Sequence, residues 1–292
     1  MLKIRTDLAC EAHQLWRESA GETTRLKGVR AREGTAEGFP AERVEILDEE
    51  GAAAIGKPVG TYLSLDLTAC WRREPGSFPR AAAAAAVASL LTSLVPEEGP
   101  VLVAGLGNAA MTADALGPRT AGHLLVTRHL GAVLPMLRPV AALAAGVLGQ
   151  TGLEVAEWVR GAAERVEPAA VIVVDALAAR SLERLCATVQ ISDTGLIPGS
   201  GVGNHRMALN RETLGVPVLS VGVPTVVDAA TVAHDLLAQA GGGEPPQLPR
   251  GYFVTPDSID EKISYLAKVL GYGINLALQP GLEFEDLEGL LE

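Results

Sequence analysis

The sequence predicts an α/β protein with a mainly parallel central sheet covered by helices on both faces. Two observations carry this. The runs VLVAG (101–105), VIVVD (171–175) and PVLSVGVP (217–224) are apolar almost throughout, as strands buried on both faces are. Ala-rich stretches with helical spacing lie between such runs, so strands and helices alternate. With 292 residues, 48% hydrophobic and only 4% aromatic, the chain can build a large aliphatic core. Residues 1–292 are expected to form a single α/β domain, with 241–254 as a loop before the C-terminal helix.

In chain order, residues 1–40 mix charge with glycine and read as a peripheral segment, with one short helix over 7–17. Residues 43–47 and 61–67 alternate polar and apolar side chains, which predicts a half-buried antiparallel pair of strands. DEEGAAAIGKPVG between them supplies a helical turn and a loop. Pro75, Gly76 and Pro79 break the chain before a helix over 80–94, whose alanine run has high helix propensity and whose apolar face continues through Val87, Leu90, Leu91 and Leu94. A strand-turn-helix rhythm follows: the strand VLVAGLGN, a segment around 117–130, a strand at 140–143 and a helix at 154–166. It continues with the strand VIVVD, a helix from Ala176 through ALAARSLERL, the segment VQISDTG, the strand PVLSVGVP and a helix near 231–240. Thr255-Pro256-Asp257 has the order of a helix cap followed by proline at the first helical position, opening a last helix to about Leu278.

A net charge of −11 without a Lys/Arg stripe argues against nucleic acid as a partner. The N-terminus lacks the apolar core of a signal peptide and no window reaches about 18 uninterrupted apolar residues, so neither export nor a membrane span is expected and the protein is read as cytoplasmic. Cys10, Cys70 and Cys186 show no ligand spacing and read as reduced, small hydrophobes.

Two lone carboxylates stand out. Asp175 ends VIVVD, and Asp114 follows the strand VLVAG and the turn Gly105-Leu106-Gly107-Asn108 by a few residues. In open α/β sheets ligands sit beyond the carboxyl ends of strands, which is where both acids are expected. Singly, each could cap a helix. Together they suit general acid/base work, one ionised carboxylate activating water while a protonated partner donates. GLGNAA (105–110) has the spacing of a dinucleotide fingerprint, but no acid stands about 20 residues on to hold a ribose, so Gly105 and Gly107 read as a tight turn beside Asp114. PGSGVGN (198–204) fits neither a nucleophile elbow nor a phosphate loop, and Gly199, Ser200 and Gly201 read as backbone that lets another chain come close. The five histidines show no metal-binding spacing; a metal held by Asp114, Asp175 and a histidine remains an alternative, and no cofactor is expected.

RTDLACEAH (5–13), GTYLSLDL, GLGN with TADALGP, VTRHL (126–130), GQTGLE, VIVVDALAARS, QISDTGLIPGSGVGN, ETLGVP and VGVPTVVDA together resemble, in order and over nearly the whole chain, the spore germination proteases of endospore-forming bacteria. The resemblance implies an endopeptidase of atypical aspartic type that degrades small acid-soluble spore proteins in the spore core. It also implies a homotetramer, a zymogen that removes its own short N-terminal propeptide, and a fold similar to that of hydrogenase-maturation peptidases. The family's catalytic aspartates fall on Asp114 and Asp175. Its self-processing falls within the RTDLA block, after Asp7, so Asp7-Leu8 is the implied self-cleavage site and residues 1–7 a very short propeptide. TADALGP replaces TPDALGP, CEA replaces VEA and GVGNH replaces GVGNK, which leaves Cys10 and His205 outside any shared mechanism. The region before the final helix is expected to be shorter than in the family. A metal-dependent maturation-type peptidase and a catalytically silent spore-protein binder are the competing readings.

Overall fold

Strand order decides where the candidate acids sit. The computed structural model describes residues 6–20, 26–71, 80–202, 206–242 and 251–291; the Pro75–Pro79 break, His205 and most of the 241–254 loop lie outside them. The chain begins with α1 (Ala9–Ala20), the hairpin β1 (Val29–Ala36) and β2 (Phe39–Ile46), α2 (Glu49–Ile55), β3 (Gly60–Asp66) and α3 (Arg80–Thr92). Then come β4 (Val101–Leu106), α4 (Leu116–Ala121), β5 (Val140–Gly146), α5 (Leu148–Thr151), α6 (Val155–Val166), β6 (Ala170–Ala179) and β7 (Thr188–Ser192). The chain finishes with α7 (Arg211–Leu214), β8 (Val218–Asp228), α8 (Ala229–Gln239), β9 (Phe253–Val254), α9 (Ile259–Leu278) and α10 (Phe284–Leu291).

Among the described residues one sheet runs in the order β1-β2-β3-β7-β8-β6-β4-β5, with β9 pairing β8. The block β8-β6-β4-β5 is parallel, as the unbroken apolar runs predict, and β7, β3, β2 and β1 extend it with antiparallel pairings. On one face α3 and α9 cover Val103, Ile172, Val174 and Val221 with Val87, Leu91, Leu266, Leu270 and Ile274. On the other, Val159 and Ala163 of α6 cover Leu102, Ala104, Val171 and Val173.

Several expectations need correction. The helix from Ala176 does not form: β6 continues through ALAA to Ala179, so Asp175 lies within the strand. Alanine and leucine favour helix only when tertiary pairing does not decide, and here β8 pairs with β6 to its end, with Ala176 opposite Val223, Ala178 opposite Val226 and Ala179 opposite Val227. The N-terminal segment is not peripheral, since Leu8, Ala9, Cys10 and Glu11 are buried. β1 was not legible because it is an exposed, charged edge strand, joined to β2 by a two-residue turn in which Glu37 and Gly38 both have positive φ. Thr255 does not cap α9; its hydroxyl donates to the Thr225 carbonyl, and the helix starts at Ile259. Residues 253–254 of the expected loop are strand β9.

An irregularity in β8 serves the site. Leu177 pairs with Pro224 but Ala178 pairs with Val226, so Thr225 is bulged out at the place where proline has no N–H to give. The freed Thr225 donates from its hydroxyl to the Ala113 carbonyl (2.7 Å) and so ties the Asp114 turn to the sheet.

β4 and α4 touch through bare backbone. A Cβ at Gly117 would fall 2.3 Å from the Leu106 carbonyl oxygen and 2.4 Å from that of Val174. Gly117→Ala is therefore expected to destabilise by about 3 kcal/mol through overpacking, read as a fall in the denaturation midpoint. An unchanged midpoint would mean that strand and helix separate freely.

Candidate active site

Asp114 lies in a 3-10 turn, Thr112–Asp114, just before α4. The tight turn predicted beside it is present: Gly107 has φ +111°, a Cβ there would sit 2.1 Å from the Asp114 carbonyl oxygen, and the Asn108 N–H donates to Asp114 Oδ2 at 2.8 Å. Gly105 belongs to β4, where a Cβ would fall 2.1 Å from the Gly117 carbonyl oxygen. Asn108 also fixes its neighbourhood, accepting at Oδ1 from Gln150 and from the Ala110 N–H.

Asp175 and Asp114 line one cavity of about 370 Å³, walled by Leu106, Met111, Val147, Leu148, Leu177, Met207 and Phe253. Asp175 is only 6% exposed. Burial, then the Asp114 charge, then that of Asp7, hold its carboxyl well above the usual carboxylate range, against one opposing hydrogen bond from the Ala176 N–H. Burial also raises Asp114, opposed by the Asn108 N–H. Burial therefore favours the protonated form most strongly at Asp175, the more deeply buried of the two.

A third carboxylate, Asp7, enters the same cavity on the N-terminal segment. Its N–H donates to the Ala178 carbonyl and its Oδ2 accepts from the Ala178 N–H, both at 2.9 Å, so it docks against the end of β6. Ser200 Oγ donates to Asp7 Oδ1 at 2.8 Å, and a Cβ on Gly201 would reach to 2.2 Å from Asp7 Oδ2. The glycine-rich loop thus lies against an approaching chain, with Gly199 lining the cavity. Beyond Asp7, Leu8 is fully buried beside Leu177, Leu185 and Val227, and Glu11 accepts from the N–H groups of Arg180 (2.8 Å) and Ser181 (2.9 Å). A second cavity of about 240 Å³, holding Lys57 and Gln190, opens on the far side of Asp7 and Asp175.

The germination protease family model matches residues 9–239. The germination protease of Clostridium perfringens is 40% identical over the whole of both chains, and that of Caldanaerobacter subterraneus is 42% identical over all of this chain and 99% of its own. The chain belongs to the germination protease family. It is accordingly a peptidase. The hydrogenase maturation protease HycI of Thermococcus kodakarensis shows a likeness at 17% identity and a TM-score of 0.37, covering 63% of this chain and 98% of that one.

In this chain the structure brings Asp114, Asp175, Asp7, Gly199, Ser200 and Gly201 together. Gly105, Gly107 and Asn108 support Asp114. Sequence reasoning passed over Gln190 and Lys57. Gln190 is the one amide of the strand TVQIS, which is buried at every position. Lys57 donates to the Thr6 carbonyl; burial lowers its pKa, while the charges of Asp7 and Glu11 oppose the shift. Cys10 and Cys186 are buried free thiols whose pKa burial raises, in keeping with a packing role.

Proposed function

We propose that this chain is the endopeptidase that begins the breakdown of small acid-soluble spore proteins, with Asp114 and Asp175 activating the attacking water. The observation that carries the reading is the seating of Asp7 beside both carboxylates, with Leu8 buried behind it and Glu11 held by backbone amides. The chain's own N-terminus thereby lies in the groove as a substrate would, and Asp7-Leu8 is the peptide bond that runs from the site. Ionised Asp114 takes a proton from water, and protonated Asp175 supplies one to the leaving amine. Autoprocessing at Asp7-Leu8, a zymogen with residues 1–7 as propeptide, a homotetramer and action in the spore core complete the reading.

Intact-mass spectrometry of the purified chain, with and without an added small acid-soluble spore protein and with EDTA, tests it. Cleavage of the spore protein, insensitive to EDTA and lost in Asp175→Asn, is expected, with loss of residues 1–7 from the chain itself. Trimming that persists in Asp175→Asn would assign that cut to another protease.

A pH consequence follows from burial. A carboxyl raised in the folded state contributes stability that is fully present below its ordinary value of 3.8 and is lost as pH rises through the folded value. Asp175→Asn should therefore raise the melting temperature at neutral pH, and the difference should disappear near pH 4. Activity should fall as Asp175 loses its proton. Equal melting temperatures across that range would contradict a carboxyl raised by burial at Asp175.

A further inference from the structure

We infer that Gln190 polarises the carbonyl of the bond to be cut and holds the substrate chain on both sides of it. This rests on the reading of Asp7-Leu8 as that bond. Gln190 Nε2 donates to the Asp7 carbonyl oxygen at 3.0 Å, and Gln190 Oε1 accepts from the Ala9 N–H at 2.7 Å. The orientation of this amide is not open to a flip, because a carbonyl oxygen can only accept and a backbone N–H can only donate. One buried side chain therefore spans Leu8, occupying the hydrogen-bonding groups immediately before and after it.

The sheet explains why an amide stands there. Gln190 of β7 pairs with Gly222 of β8, and Gly222 pairs with Asp175 of β6. Residues in register on neighbouring strands point to the same face, so Asp175 and Gln190 share a face with only a glycine between them. A Cβ at Gly222 would meet Leu177 Cγ at 2.6 Å, so that place in the row has to stay empty. Acid and donor are thus set on rigid strands, on one face of the sheet.

In the step itself the water oxygen bonds to the Asp7 carbonyl carbon, and one water proton passes to the ionised carboxylate. The C=O electron pair moves onto oxygen, where the Gln190 N–H already points. The C–N bond then breaks, and the Leu8 nitrogen takes the proton of the protonated carboxyl, leaving an acid and an amine. A donor preset toward a developing oxyanion is worth about 10²–10³ in rate.

The test measures kcat and KM for the full-length enzyme on a synthetic peptide of residues 1–15, with mass spectrometry locating the cut. Gln190→Met, close in size but without an N–H, should lower kcat by about 10²–10³ without raising KM by more than about tenfold. Gln190→Asn keeps a buried amide but shortens it by one carbon, and should show the same loss should the methionine variant not fold. A loss confined to KM would make Gln190 only a clamp, and kcat within about threefold of wild type in the folded variants would remove the assignment while leaving the Asp7-Leu8 reading intact. If the wild-type enzyme does not cut Asp-Leu at all, that reading fails and the role of Gln190 fails with it.

Discussion

Asp175→Asn should lower the rate of peptide cleavage by about 10²–10⁴-fold while the chain stays folded, and Asp114→Asn should do the same. The substitution isolates chemistry from structure. The Asp175 oxygen that accepts from the Ala176 N–H, and the Asp114 oxygen that accepts from the Asn108 N–H, both have an amide-oxygen equivalent, so each local hydrogen bond can survive. What is lost is the exchangeable carboxyl proton. At Asp175 the amide also removes a carboxyl that is costly to ionise in a site 6% exposed, so the inactive variant should be the more stable one at neutral pH. Loss of activity with a higher melting temperature points to an acid kept for catalysis. Loss of folding would return Asp175 to a structural role, and near-normal turnover by either variant would end the two-carboxylate mechanism.

The parts legible in the sequence were those governed by local pattern. VLVAG and VIVVD announced buried strands through nearly unbroken apolar runs, and the Gly107-Asn108 turn beside Asp114 followed from glycine spacing. The end of β6 was not legible because Ala176 to Ala179 have helical propensity, and only pairing with β8 overrides it. The error left the site intact: extending β6 past Asp175 creates the backbone edge at Ala178 against which Asp7 docks. The backbone partners of the Gln190 and Glu11 side chains lie more than 160 positions away, and no spacing within one segment encodes those contacts. Asp7 is held by hydrogen bonds to Ala178, Ser200 and Gln190, each worth about 0.5–1.5 kcal/mol net.

The contacts of Glu11 make specificity the second large expected effect. Its carboxylate receives two backbone N–H groups from the chain just past β6, with the Thr6 hydroxyl as a further donor. Lys57 adds a favourable charge nearby. On the proposed reading of Asp7-Leu8 as the bond cut, backbone donors fixed in this way should select an anion at the fourth residue after it. Hydrogen bonds to charged groups contribute about 1.5–3 kcal/mol, so replacing the corresponding glutamate of a substrate peptide by alanine should lower kcat/KM by about 10–100-fold. Glutamine retains an acceptor oxygen without the charge and should fall between the two. In the chain itself, Glu11→Ala leaves the Arg180 and Ser181 amides without that acceptor, so the N-terminal segment should loosen and trimming at Asp7-Leu8 should slow. Cleavage of an added spore protein that carries its own glutamate should then rise, because the groove is no longer filled from within. Equal kcat/KM for the glutamate and alanine peptides would show that the amides of Arg180 and Ser181 serve the fold of the N-terminus and take no part in choosing a substrate.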